Sequence, residues 1–204
     1  MSTAMRERNH LIGLLAALAL FLGVELAQAS GSADDYVRAE QADLVALLAQ
    51  PKSPTREQKI SAVMDRVFDF DDLAKRSLGD DWNPLNEVQR SEFRSLLEQL
   101  VKQSYRRNLD KTKGWDVSYE KPTTVEGGVR VPTIAKHKTD KRKDPVSIDY
   151  LLHETKGQWR IFDVVIEGSS LVSNYQSQFR KIIRKKGFGE LVSRMKNRVA
   201  KGAD

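Results

Sequence analysis

The apolar residues of this chain change their spacing twice, and this change restricts the folds that the chain can adopt. Between residues 34 and 109 they recur every three or four positions, which is typical of amphipathic helices. Between residues 115 and 166 they alternate with polar residues, as in strands. Helical spacing returns from residue 171. The pattern predicts an α+β fold in which helices pack on a curved antiparallel sheet.

Residues that favour helix ends predict the boundaries of the first four helices. The first helix is predicted over residues 34–50, before a proline, and Ser53 is the predicted N-cap of the second. Asp69 is the predicted N-cap of a short third helix. Asn86 and Gln89 resemble a capping box that opens a long fourth helix. The buried face of the fourth helix is predicted to contain Phe93, Leu96, Leu97, Leu100, Val101 and Tyr105.

Four strands and two helices are predicted in the second half. The strands are predicted over residues 115–119, 129–138, 146–152 and 158–166, and they form a meander. The last strand is apolar on both faces, so both faces should be covered. Ser169 or Ser170 is the predicted N-cap of a helix over Leu171–Lys186. A final helix is predicted over about Glu190–Lys201, after the segment Gly187-Phe188-Gly189.

The N-terminal 29 residues are predicted to be a signal peptide. The apolar run Leu11–Val24 follows two arginines and contains fourteen residues, fewer than the roughly 20 that a membrane-spanning helix needs. Ala27-Gln28-Ala29 matches a signal peptidase site, so the mature chain is predicted to begin at Ser30. An uncleaved anchor is the alternative. The interpretation predicts export to the periplasm of one domain, residues 30–204.

Composition excludes several kinds of chemistry. The 204 residues include no cysteine and three histidines, which excludes disulfides, thiolate nucleophiles and cysteine-based metal sites. No phosphate-binding loop or GxSxG motif is present. His137 and His153 could face each other across neighbouring strands, but two solvated histidines are the preferred interpretation. We therefore expect no cofactor, no metal and no catalytic activity.

Asp163 is the residue that leaves an enzymatic alternative open. By strict alternation it would share a face with Trp159, Ile161 and Val165. A partly buried acid beside Tyr150 or Tyr175 could act as the base of an isomerase on a cone-shaped fold. The preferred interpretation is structural, with Asp163 pairing with an arginine or capping backbone groups.

Basic residues form two clusters in a chain of net charge +6. The first cluster, in a predicted loop, comprises Lys136, Lys138, Lys141, Arg142 and Lys143. The second, on the fifth helix, comprises Arg180, Lys181, Arg184, Lys185 and Lys186. No aromatic residues interleave with these charges, which argues against nucleic acid. Transient contact with an anionic membrane surface fits better, and a solvated face is the alternative.

Three segments together resemble one known family. They are Phe68-Asp69-Phe70 with Leu73-Ala74, then Leu78-Gly79 with Trp82, Gln89-Arg90 and Phe93, and lastly the run from Trp159 to Tyr175 with Phe179. The segments are similar to those of the MlaC family, also called toluene-tolerance or ABC-transporter auxiliary proteins. The resemblance implies a periplasmic phospholipid shuttle that maintains outer-membrane lipid asymmetry. Its implied partners are an inner-membrane ABC transporter complex and an outer-membrane lipoprotein complex. A carrier of hopanoids or another lipid is the alternative.

A diacyl lipid needs a deep apolar cavity, because each exposed methylene costs roughly 0.8 kcal/mol in water. A helical layer over a twisted sheet, resembling an NTF2-like or cystatin-like cone, could hold such a cavity. Residues that contact the lipid are expected on the inward stripes: Val67, Phe68, Leu73, Leu78, Trp82, Phe93, Leu97, Leu100, Tyr105, Tyr150, Ile161, Val165, Leu171, Tyr175 and Phe179. The same stripes would also suit a solid core, and the sequence leaves both open.

Overall fold

The computed structural model describes residues 31–109 and 112–202, so the predicted signal peptide lies outside the described residues. The helices are α1 (Ala33–Leu48), α2 (Pro54–Val67), α3 (Phe70–Leu78), α4 (Glu87–Leu109), α5 (Leu171–Lys186) and α6 (Phe188–Lys201). The strands are β1 (Trp115–Tyr119), β2 (Thr123–Val125), β3 (Gly128–His137), β4 (Val146–Thr155), β5 (Gln158–Ile166) and β6 (Ser169–Ser170). None of the helices in these ranges is long and apolar enough to cross a membrane.

The predicted helix caps are present. The Ser53 hydroxyl accepts a hydrogen bond from the backbone N–H of Arg56, the third residue of α2, at 3.2 Å. The Asp69 carboxylate accepts one at the start of α3, at 2.9 Å. Asn86 and Gln89 exchange side chain–backbone hydrogen bonds of 2.9 and 3.0 Å, which is a capping box. Ser170 caps α5. These short-range bonds place the helix starts where the sequence predicts them.

The four long strands form the predicted antiparallel meander, in the order β1-β3-β4-β5. The predicted count of four strands is wrong, because β2 pairs with β3 and β6 pairs with the end of β5, which makes six. Two or three residues are too few to show an alternating pattern. The predicted start of α6 is also late: only Gly187, with φ 82°, separates it from α5.

Two large apolar cores lie on either side of the linker between α2 and α3, and a third, small one is formed by Leu48 and Ile60. The sheet core joins α1 and α2 to one face of the sheet, here called the inner face; its buried members are Ala33, Val37, Val63, Val67, Val131, Leu152 and Ile161. The helical core is formed by residues of the five helices α2, α3, α4, α5 and α6. Phe68 packs against both cores, and it pairs in parallel with Ile161 of β5. This pairing covers part of the β5 edge.

A β-bulge in β5 changes which side chains share a face. Leu152 of β4 pairs with Ile161, but the preceding Leu151 pairs with Asp163, so Phe162 is an extra residue. Beyond the bulge, Val164 points to the inner face, while Asp163 and Val165 point to the outer face. The predicted shared face of Asp163 with Trp159 and Ile161 is therefore wrong, as is the inward orientation of Val165.

Candidate functional site

The inner face of the sheet is mostly apolar, with the buried Thr133 in the middle of β3, and α1 crosses only one end of this face. The indole N–H of Trp159 donates to the Gly31 carbonyl at 2.7 Å, which holds the start of α1 over β5. The Tyr119 hydroxyl bonds to Gln41, which holds the middle of α1 over β1. Arg38 lies 3.9 Å above the Tyr119 ring. These contacts close the end of the inner face that contains Leu152.

The other end of the inner face, here called the open half, comprises Val117, Val146, Ile148 and Ile166. Of the residues that the structure describes, these four belong to none of the apolar cores. Ile166 is 49% exposed, and the other three are half-buried. Exposed apolar patches are uncommon on proteins that need no apolar ligand or partner. The open half is therefore the apolar surface best placed to receive a ligand.

Three tyrosines lie where the closed end meets the open half. Burial raises the pKa of Tyr150, and the neighbouring phenols of Tyr105 and Tyr119 raise it further. Burial also raises the pKa of Tyr105 to about 12. Tyr150 is nevertheless only half-buried. These neutral phenols combine an apolar ring with a polar hydroxyl, so they form an amphipathic rim where the closed end meets the open half.

The predicted lipid-contact residues lie in different parts of the fold. Val67, Phe68, Tyr150 and Ile161 lie in or against the sheet core. Leu73, Leu78, Phe93 and Leu97 are fully enclosed in the helical core. Trp82, Leu100, Tyr105, Leu171, Tyr175 and Phe179 lie in that core or around it. Val165 lies on the outer face. The apolar character of the second group is therefore explained by packing within the protein, without contact with a ligand.

Two grooves lie between the helices, away from the predicted hollow. One, of about 250 Å³, is enclosed by α4, α5 and α6, and its wall includes Leu100, Tyr175 and Phe179. The other, of about 390 Å³, lies between α5 and α6 and shares Ile182 and Arg194 with the first. The first volume is below the roughly 300–1,000 Å³ of drug-sized ligand pockets, and the second is near the lower end of that range. Neither groove could hold a whole diacyl lipid.

Asp163 caps backbone groups, as the structural interpretation predicts. It is 6% exposed, and its carboxylate accepts hydrogen bonds from the Ser170 hydroxyl at 2.6 Å and from the N–H groups of Val164 and Val172 at 2.8 and 3.0 Å. Tyr150 pairs with Val164 and therefore points to the opposite face of the sheet from Asp163. The acid and this phenol do not meet in one site.

The two histidines do not face each other. His137 is at one end of β3 and pairs with Trp115, whereas His153 pairs with Arg160 at the far end of β4. His153 is not solvated: its Nε2 lies 2.9 Å from the Asp69 carboxylate. Within residues 31–109 and 112–202, no cluster of three or more His, Cys, Asp or Glu residues could hold a metal ion.

The fold and the partly uncovered apolar face define a small α+β protein with an apolar surface on its sheet. One of seven matching chains of solved structures is a phospholipid-binding protein from Ralstonia solanacearum in complex with a phospholipid. The two are 22% identical with a TM-score of 0.71, over 85% of this chain and 99% of the other. No curated protein matches the chain.

The family comparison identifies the chain more closely. The MlaC protein family matches residues 39–197, so the chain belongs to the MlaC family, as the sequence resemblance implies. As a member of that family it is a phospholipid-binding lipid carrier.

Proposed function

We propose that this chain carries a diacyl phospholipid through the periplasm and exchanges it with an inner-membrane ABC transporter complex and an outer-membrane lipoprotein complex. Family membership supports this role. The signal peptide predicted over residues 1–29 would deliver the chain to the periplasm, leaving residues 30–204 as a single lipid-binding domain. A hopanoid or another two-tailed lipid is the alternative cargo.

The main structural support for this proposal is the exposed apolar surface of the open half. Val117 and Ile148 face the same side of the sheet as Tyr150. Together with Tyr105, which reaches this region from α4, they would contact the acyl chains. The predicted residues Val67, Phe68 and Ile161 would close the inner end of the hollow. The lipid headgroup would stay at the solvent-facing end, near Ile166.

We propose that a hollow opens between the helices and the open half when lipid enters. Two chains of about fifteen methylenes expose apolar surface worth on the order of 20 kcal/mol in water. Covering most of that surface needs helices as well as the sheet. We propose that α1 and α2 close over the tails as the wall of a cone, in the manner of NTF2-like or cystatin-like folds. The helical core, whose members Leu73, Phe93 and Leu97 have no exposed surface, would stay fixed.

We propose no enzymatic activity for this protein. An isomerase of the cone type needs an ionisable acid and a phenol that face one substrate. Asp163 faces α5, where its two oxygens accept three hydrogen bonds, and Tyr150 faces the other way. The acid is thus occupied in holding the start of a helix.

Organic extraction of the purified mature protein, followed by mass spectrometry, tests the proposal. We expect about one phospholipid for each protein molecule. Val117→Glu places a charge in the open half and should abolish the bound lipid, because burying an unpaired carboxylate against acyl chains is costly. Ser118→Glu adds the same charge to the outer side of β1, where Ser118 is exposed. This control should keep its lipid. Lipid-free wild-type protein, or equal loss from both variants, would contradict the proposal.

A further inference from the structure

The positive charge of this chain is concentrated on its last two helices. Between residues 171 and 201 there are nine Lys or Arg residues and a single acid, Glu190. The whole chain carries a net +6, so the remainder is slightly acidic. All nine basic side chains are exposed. A field of one sign on one part of a molecule steers it toward surfaces of the opposite sign.

Six cations border the two joined grooves between the helices. This basic groove is lined by Arg107, Lys181, Lys185, Lys186, Arg194 and Arg198. Arg194 and Lys186 share Glu190, at 2.8 and 3.8 Å. The other four form no ion pair with any residue that the structure describes. Their charge is therefore available to an external anion.

The floor of the basic groove is apolar. Ile182 lies in both parts of the groove, and Phe179 and Met195 lie beneath the second part. Cations above an apolar floor match the interface of an anionic bilayer, where phosphates lie beside the ends of acyl chains. The aromatic rings of the floor are packed in the helical core, so they are not free to stack on nucleic-acid bases.

The first basic cluster, here called the basic loop, presents less unpaired charge, although it is just as rich in lysine. It comprises Lys136, Lys138, Lys141, Arg142 and Lys143. Lys138 lies 3.3 Å from Asp116, and Arg142 lies 3.1 Å from Asp140. Local carboxylates thus neutralise part of this cluster. The loop also borders neither of the two helical grooves.

We propose that the basic groove between α5 and α6 is the surface by which this protein docks on anionic phospholipid bilayers. This inference deepens the proposed carrier function by assigning its membrane contact to one face. Docking there leaves the open half of the sheet, on other elements of the fold, as a separate lipid site. Each cation near such a surface contributes about a fivefold gain in binding.

Co-sedimentation with phosphatidylcholine vesicles, with and without phosphatidylglycerol, tests the inference. The wild-type protein should bind only the vesicles with phosphatidylglycerol, and added salt should release it. Lys181→Gln with Lys185→Gln should weaken this binding by about 25-fold. The matched control, Lys136→Gln with Lys141→Gln in the basic loop, removes the same net charge and should weaken it by less than about threefold.

Two further measurements make the outcome decisive. Extracted phospholipid should be equal in the wild type and both double variants, so the lipid site and the docking surface are tested separately. Equal weakening by the two double variants would overturn the inference, since binding would then follow net charge alone. Absence of binding to phosphatidylglycerol vesicles would also overturn it. Polyglutamate binding that needs Lys181 and Lys185, without vesicle binding, would assign the groove to an acidic protein instead.

Discussion

The carboxylate of Asp163 lies 2.6 Å from the hydroxyl of Ser170, and this contact joins strand β5 to the start of helix α5. The same hydroxyl accepts the Ser173 N–H at 3.0 Å. Asp163 therefore orients the hydroxyl that caps the helix, and it also accepts hydrogen bonds from two backbone N–H groups. The β-bulge at Phe162 turns the carboxylate toward the helix. Bulge and cap act as one structural unit.

Asp163→Ala should lower the free energy of unfolding by about 3 kcal/mol, because it leaves buried N–H groups without an acceptor. Asp163→Asn keeps one oxygen and should cost about 1 kcal/mol. Urea unfolding measures both. Asp116→Asn, at an exposed site on β1, is the control and should change stability little. A well-folded Asp163→Asn protein that has lost a chemical activity of the wild type would show that the structural role is wrong.

Gly128 allows two strands to approach more closely than any side chain would permit. A Cβ at this position would lie 2.0 Å from the Leu152 carbonyl oxygen. Gly128→Ala should therefore cost about 3 kcal/mol, since the β3–β4 pairing must shift. Gly157 is the control: its φ is 74°, but no atom lies within 4 Å of an added Cβ. Gly157→Ala should cost about 1 kcal/mol. Equal losses in thermal unfolding would refute the close-approach argument.

Local signals in the sequence predict the helices well. Ser53, Asp69 and Ser170 are caps whose hydrogen bonds reach only three residues ahead, so neighbouring residues determine them. The bulge at Phe162 depends instead on the register between β4 and β5. Sequence alternation alone cannot show an extra residue in one strand, and for this reason Val165 is predicted on the wrong face.

The candidate site could be predicted only in part, for a similar reason. Leu97 and Tyr105 lie on the same apolar stripe of α4, but Leu97 is fully enclosed and Tyr105 is half-buried. The difference depends on which elements meet at each position, not on the residue types. The open half was not predicted as a unit, although the alternation of Val146 and Ile148 indicates its strand.

Alkaline conditions should destabilise the protein through its buried phenols. Burial raises the pKa of Tyr105 to about 12 from the ordinary value of 10.0. Such a group contributes stability that is fully present below pH 10 and is lost as the pH rises toward 12, because the unfolded chain then loses its proton first. Between pH 9 and pH 11, the free energy of unfolding should therefore fall by about 1–2 kcal/mol less in Tyr105→Phe than in the wild type. Urea unfolding at pH 9 and at pH 11 measures the difference; identical pH dependence of both proteins would contradict it.

The distinction between core and lipid-site residues can be tested by truncating one predicted contact of each kind. Leu97 has no exposed surface and lies in the helical core, whereas Tyr150 is half-buried at the edge of the open half. Leu97→Ala should lower the stability of delipidated protein by about 3 kcal/mol through the cavity that it leaves. Because the helical core does not contact lipid in our proposal, the bound phospholipid should be unchanged.

Tyr150→Ala should have the opposite effect: it should weaken lipid binding more than it lowers the stability of the protein. Removing the ring takes away contact with the acyl chains worth about 1–2 kcal/mol, so lipid should transfer to acceptor vesicles roughly tenfold faster. Its cost in stability, measured without lipid, should be smaller than that of Leu97→Ala, since a half-buried ring gives up fewer packed contacts. Ligand binding itself stabilises a protein, so unfolding must be compared on delipidated samples. If folded Leu97→Ala protein loses its lipid while Tyr150→Ala protein retains it, the helical core lines the lipid site and the open half does not.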